Sequence, residues 1–224
     1  MVKTYDLYHI KDKSETKNNV YVIVDQMTRK AAVVDPACSL QEINEMIKNL
    51  NLALDAILVT HIHPDHIGSV DDLIKQHQCK VYVSKKEAHY YAYHCKNIQL
   101  FEDQEMIDLG HTLVKCILTP GHTAGSTCFL LENSLFSGDT IFMEGCGICT
   151  EPGGSALDMF SSILKIKQQV AESVLVYPGH TYGIQPGQSI VYLKAHNIYF
   201  VIENQQTFVE FRMRKNQKNL FNFE

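Results

Sequence analysis

The stretch Thr60-His61-Ile62-His63-Pro64-Asp65-His66-Ile67-Gly68-Ser69 decides the reading of this chain. It packs three imidazoles and a carboxylate into six positions, between an apolar run at 56–60 and the start of a helical pattern. In extended backbone, His61 and His63 are two apart and point the same way. Pro64 keeps His63 extended, and the turn that follows presents Asp65 and His66 from another direction. Imidazole nitrogen and carboxylate oxygen are the donors that borderline divalent metals such as zinc take. The bland alternative is a solvated loop rich in histidine by chance. Three of the chain's eleven histidines within six residues argue against it.

Three later places repeat the geometry. Pro120-Gly121-His122-Thr123 follows the run 113–118, Ser137-Gly138-Asp139-Thr140 follows 129–136, and Tyr177-Pro178-Gly179-His180 follows 174–176. In each, a candidate ligand sits just after a β-run, beside a glycine that permits a tight backbone path. If the strands belong to packed sheets, all four ligand groups converge at one edge.

Working outward, β-rich runs at 5–10, 20–25 and 31–35 precede a helix over 40–50. Ser39 and Glu42 read as its capping box, and Leu40, Ile43, Met46, Ile47 and Leu50 share one face. A strand at 56–60 leads into the histidine loop. A second helix is expected from Ser69, with Asp72 as its box partner. Strands are expected at 80–84, 106–108, 112–118, 127–132, 134–136 and 174–177, and helices at 86–94, 155–170, 188–196 and 205–218. Two strand clusters, each followed by helices, predict two sheets face to face with helices outside.

The chain has 224 residues, 45% of them hydrophobic, and a formal charge of −5. That is enough for a sizeable core and too short for two full enzyme domains. A single domain over 1–224 is expected, with a short helical extension at about 187–224. A mildly acidic chain is a poor nucleic-acid binder. No apolar run approaches the ~20 residues of a membrane span, and no secretory leader is expected at the N-terminus. The expectation is a cytoplasmic protein with no nucleic-acid or membrane partner. Seven scattered cysteines then read as reduced packing residues. Cys146 and Cys149 form a close pair, but without a second pair or a thioredoxin-like context they read as packing too.

With these motifs in place, the chain resembles the metallo-β-lactamase superfamily. Its H-x-H-x-D-H motif stands unaltered at 61–66, and His122, Asp139 and His180 match the remaining ligand positions. The resemblance implies an αββα sandwich, an α/β fold with two facing mixed sheets. It implies one metal held by His61, His63 and His122, and a second held by Asp65, His66 and His180. Asp139 would bridge them, and a hydroxide would lie between the metals, held by Asp139 and Asp65. Zinc is the expected metal, though iron and manganese accept the same donors. Two divalent ions, two carboxylates and a hydroxide leave the site about one unit positive, which suits an oxyanion forming at a carbonyl.

Among branches, Asp139 argues against the true zinc β-lactamases, His63 against the flavodiiron proteins, and Glu144 before Gly145-Cys146-Gly147 against the persulfide dioxygenases. The chain looks like glyoxalase II, the hydroxyacylglutathione hydrolases, through 138–142, 145–147 and Pro178-Gly179-His180-Thr181-Tyr182. That family touches its thiol substrate with a Tyr where Tyr182 stands, and uses a C-terminal Arg-x-x-Lys that Arg212 and Lys215 match in spacing. It also follows its Cys-Gly with a Lys that holds glutathione, and here that position is Ile148. The segments 145–154 and 211–221 look more like the zinc-dependent hydrolases of bacterial polyketide clusters, relatives associated with acyl groups on acyl carrier proteins. The resemblance therefore implies a binuclear thioester hydrolase acting on a phosphopantetheine-borne acyl group. Ile148, Tyr182, Arg212 and Lys215 would contact the substrate. The alternatives are glyoxalase II proper, a lactonase, or a non-catalytic module docking on a synthase. The tail cations Arg212, Arg214, Lys215 and Lys218 read either as a solvated helix face or as a patch for a phosphate or an acidic carrier protein. The tyrosines at 90, 91 and 93 read as partly buried surface aromatics.

Overall fold

Along 19–25, Tyr21 and Ile23 point to one face and Val20, Val22 and Val24 to the other, and all five are buried. A strand apolar on both faces has to be covered on both. The computed structural model, which describes residues 3–11, 18–37 and 40–215, meets that demand with four layers.

The first half runs β1 (Tyr5–Lys11), β2 (Asn19–Asp25), β3 (Lys30–Val34), α1 (Leu40–Asn49), β4 (Ala53–Leu58), α2 (Pro64–Ile67), α3 (Val70–His77), β5 (Lys80–Ser84), α4 (Lys85–Tyr90) and β6 (Ile98–Phe101). Its six strands lie in sequence order in one sheet. The pairing is antiparallel from β1 to β3 and parallel from β3 to β6. The second half runs β7 (Met106–Leu109), β8 (Thr112–Leu118), β9 (Thr127–Leu130), β10 (Ser134–Gly138), α5 (Ala156–Gln169), β11 (Leu175–Pro178), β12 (Gln188–Ser189), α6 (Ile190–His196), α7 (Ile198–Val201) and α8 (Gln205–Arg212). These six strands make a second mixed sheet, again in sequence order. The middle core joins the facing sides of both sheets, with Tyr21, Ile23 and Leu58 meeting Val114, Phe129 and Phe136. On the first sheet's other side, Val22, Val33 and Ile57 meet Ile43 and Ile47 of α1 and Leu73 of α3. On the second sheet's other side, Ile117 and Leu135 meet Met159 and Ile163 of α5 and Phe208 of α8. The expected αββα sandwich is the fold.

The differences from expectation have local causes. α4 ends at Tyr90 rather than 94 because the chain turns at Ala92, whose φ is 51°. β6 is an edge strand with two exposed residues in four, so its apolar signal is weak. Ser69 does not cap α3. A cap hydroxyl needs extended backbone at its own residue, whereas the chain arrives directly from α2 with Ser69 at φ −105°, ψ 7°. The box partner Ser39 of α1 lies outside the described residues, as do Lys218 and the rest of 216–224. The last helix stops at Arg212, short of the expected 218.

Candidate metal centre

Each expected ligand follows the end of a strand, and the ends meet. His61 and His63 lie on the loop after β4, and Asp65 and His66 in α2. His122 follows β8, Asp139 follows β10 and His180 follows β11. Parallel pairing of β10 with β11 sets the last two ligands side by side. Gly179 is needed there: a Cβ at that position would lie 2.5 Å from Asp139 Oδ1 and 2.7 Å from His66 Cε1.

The donors form two clusters, His61–His63–His122 and Asp65–His66–His180. Within the first, His122 Nε2 lies 3.0 Å from His63 Nδ1. Within the second, His66 Nε2 lies 3.3 Å from His180 Nε2, and Asp65 Oδ2 lies 3.5 Å from His180 Nε2. Asp139 reaches both: Oδ2 is 3.6 Å from His122 Nε2 and 3.4 Å from His180 Nε2, and Oδ1 is 3.5 Å from His66 Nε2. Tetrahedral ligands at metal–nitrogen distances of about 2.0–2.1 Å sit about 3.3 Å apart. These separations match that edge.

Ring orientations are set by groups behind the donors. His122 Nδ1 donates to the Ile148 carbonyl at 2.7 Å, which turns the Nε2 lone pair inward. Thr60 Oγ1 donates to Asp35 Oδ2 at 2.6 Å and so accepts from His61 Nδ1 at 3.0 Å. His61 Nε2 is thereby left as an acceptor, buried without a hydrogen-bond partner, and so is Asp139 Oδ1. Buried acceptors without a hydrogen-bond donor are costly unless a cation joins them. The residues present fit two divalent ions.

The two clusters differ in charge. Burial, with help from the neighbouring imidazoles, holds His61 well below the usual histidine range. Burial also lowers His63, and takes His122 down to about 4. Burial alone would lower His66 as well, but Asp139 and a bond to Asp35 raise it to about 9. Burial would raise Asp139, yet His180 and His66 hold it well below the carboxylate range.

Two supporting carboxylates have no counterpart in the sequence reading. Asp35, in left-handed backbone at the end of β3, accepts from Thr60 N at 2.8 Å and pairs with His66 Nδ1 at 3.0 Å. An acid closing an apolar strand before Pro36 was its visible signal. Glu87 is buried in α4 and accepts from Ile62 N at 3.1 Å, Thr123 Oγ1 at 2.9 Å and Gly125 N at 2.7 Å. It ties the loop holding His61 and His63 to the loop holding His122. Nothing in Lys85-Lys86-Glu87 distinguishes it from a surface helix.

The expected substrate contacts separate. Tyr182 is half-buried beside the centre, stacked on His180 with ring centroids 5.6 Å apart, and burial pushes its phenol up. Ile148 is half-buried next to His122. Arg212 is a correction to both readings of the tail. It is buried and donates from Nε to the Gly147 carbonyl at 2.9 Å and from Nη1 to the Tyr199 hydroxyl at 3.3 Å, so it faces neither solvent nor a carrier. Arg214 and Lys215 are exposed. Cys146 and Cys149 are buried, and burial raises both thiols, Cys149 to about 11. Of the tyrosines, Tyr90 is exposed, while Tyr91 is half-buried and donates to the Pro152 carbonyl at 2.6 Å.

Comparison with known proteins agrees with this geometry. A family model described as the metallo-beta-lactamase superfamily matches residues 15–180. The chain is 47% identical over 222 residues to PksB of Bacillus subtilis, named a probable polyketide biosynthesis zinc-dependent hydrolase, covering 99% of each chain. It is 43% identical over 225 residues to BaeB of Bacillus velezensis, which carries the same description, covering 100% of each. A probable hydroxyacylglutathione hydrolase of Schizosaccharomyces pombe is 30% identical over 74% of this chain and 64% of that one. Among solved structures, ETHE1 from Myxococcus xanthus superposes with a TM-score of 0.85 at 28% identity, covering 96% of this chain and 92% of that one. Ligand order, sandwich and relatives converge: the chain belongs to the metallo-β-lactamase superfamily.

Proposed function

We propose that this protein is a binuclear, zinc-dependent thioester hydrolase that acts in the cytoplasm on acyl groups carried by the phosphopantetheine arm of an acyl carrier protein, in polyketide biosynthesis. The observation that carries the reading is Asp139, whose two oxygens face both donor clusters at 3.4–3.6 Å. Two divalent ions so held supply a nucleophile from water near neutral pH and polarise a carbonyl.

The chain's own residues support this chemistry in three ways. Asp65 and Asp139 both turn Oδ2 toward His180 Nε2, at 3.5 and 3.4 Å, which puts two carboxylates beside the second cluster, where they would hold a metal-bound hydroxide. The site needs no nucleophilic side chain, and the buried, raised thiols of Cys146 and Cys149 supply none. A thiolate, with a conjugate-acid pKa near ~8.5, leaves without strong acid help. The names of the relatives PksB and BaeB support the polyketide setting. Ile148 supports the carrier: an apolar side chain there offers glutathione's carboxylate no cation but suits the stem of a longer arm. With Arg212 buried, the exposed tail cations among the described residues that could meet a carrier's acidic surface are Arg214 and Lys215.

The test compares one acyl group on acyl carrier protein, coenzyme A and glutathione, using zinc-loaded enzyme. The expected order of kcat/KM places the carrier protein first. Lactoylglutathione as the best substrate would overturn the carrier and favour glyoxalase II. No thioester cleavage by the zinc-loaded chain would overturn the reaction class.

A further inference from the structure

We infer that Arg212, in the last helix, is a positioning residue for the metal centre: it holds the loop at 147–148 against His122 and Asp139. The inference rests on the metal-centre reading above.

Arg212 is buried, and its Nε donates to the Gly147 carbonyl 65 residues away in sequence at 2.9 Å. Its Nη1 reaches the Tyr199 hydroxyl, and the guanidinium lies over the Tyr199 ring at 5.8 Å. Gly147 in turn donates from its N–H to the Asp139 carbonyl at 2.9 Å. It sits so close to the ligands that a Cβ there would lie 2.2 Å from the Asp139 carbonyl oxygen and 2.8 Å from His122 Nδ1. The next residue, Ile148, supplies the carbonyl that orients His122. One peptide segment thus touches two ligands on one side and one cation on the other.

Packing alone does not call for an arginine here. The surroundings include Cys146, Cys149, Tyr199 and Phe208, where an unbranched apolar side chain would fill the space without burying charge. What the guanidinium adds is directed donors to a loop backbone, which fixes the Ile148 carbonyl and with it the His122 tautomer. Groups that orient a ligating histidine from behind typically govern metal affinity by about 10–100-fold. The helix α8, whose cations read from sequence either as a solvated face or as a patch for a phosphate or a carrier, therefore reaches the loop that backs His122.

The test measures zinc affinity by chelator competition on the full chain for wild type, R212M and F208L, beside melting temperatures. R212M should bind zinc about 10–100-fold more weakly. F208L, a cavity in the same helix's packing, should lower the melting temperature with zinc affinity unchanged. Zinc affinity equal in R212M and wild type overturns the inference, as does equal loosening in R212M and F208L, which would mean that the helix acts through stability alone. Coupling is reciprocal, so zinc should also slow hydrogen exchange at Arg212 Nε–H in the wild-type chain. That NMR measurement stands even if R212M does not fold, and an exchange rate indifferent to zinc overturns the inference. Wild type that takes up no zinc overturns the metal centre itself and this inference with it. Wild type that binds zinc while R212M is unaltered overturns the inference alone.

Discussion

The two donor clusters share a carboxylate and little else. His61, His63 and His122 are imidazoles held near neutrality by burial, backed by a hydroxyl and a carbonyl. Asp65, His66 and His180 mix a carboxylate with imidazoles, and Asp65 keeps 38% of its side chain exposed. His66 is held protonated by Asp139 and Asp35. The first cluster is ready for a cation before one arrives. The second balances its own charge with a proton that a cation must displace. Two sites a few ångströms apart can thus differ in affinity through their supporting residues as well as through their ligands.

The strongest way to break this comparison is at the shared residue. Asp139→Ala should loosen both metals and abolish hydrolysis, while Asp65→Ala should deplete only the second site. Metal content per chain by elemental analysis reads both. A fully loaded, active Asp139→Ala protein would sink the bridging assignment.

Acidification should sharpen the difference. His66 titrates at about 9 without metal, so below that pH a cation at the second site displaces its proton. Affinity there should fall about tenfold per pH unit from this group alone, or about a hundredfold between pH 8 and pH 6. His122, at about 4, holds no proton to displace in that range. Chelator titrations at the two pH values should show one metal lost before the other, and parallel loss would contradict the contrast.

Glu87→Gln should loosen the first cluster's metal by about tenfold. The new amide NH2 would face an N–H donor of Ile62 or Gly125, now without its acceptor. The second metal should be retained, so a variant that loses that one first would reverse the assignment.

The smallest effect is expected at the cysteines. Ser at both 146 and 149 should leave turnover within about tenfold, or about 1.4 kcal/mol in barrier. A loss of several orders of magnitude with metals in place would make a thiol part of the reaction.

What the sequence by itself determined is the set of candidate donors and the layering. His61, His63, Asp65, His66, His122, Asp139 and His180 each sit on or just after the loop leaving a strand, and strand ends of a sandwich meet at one edge, so local pattern sufficed. Two clusters of strand runs, each followed by helical patterns, predicted two facing sheets with helices outside, and so the four-layer fold. Tertiary structure alone decided what stands behind the donors. Asp35 reaches His66 across 31 positions, Glu87 reaches Thr123 across 36, and Arg212 reaches Gly147 across 65. Hydrogen bonds over such separations leave no periodicity and no motif. A charged residue on a helix reads as solvated until the chain that buries it is in place. Arg212 therefore read as part of a basic tail, and only packing of α8 against the second sheet's helical layer turned it inward.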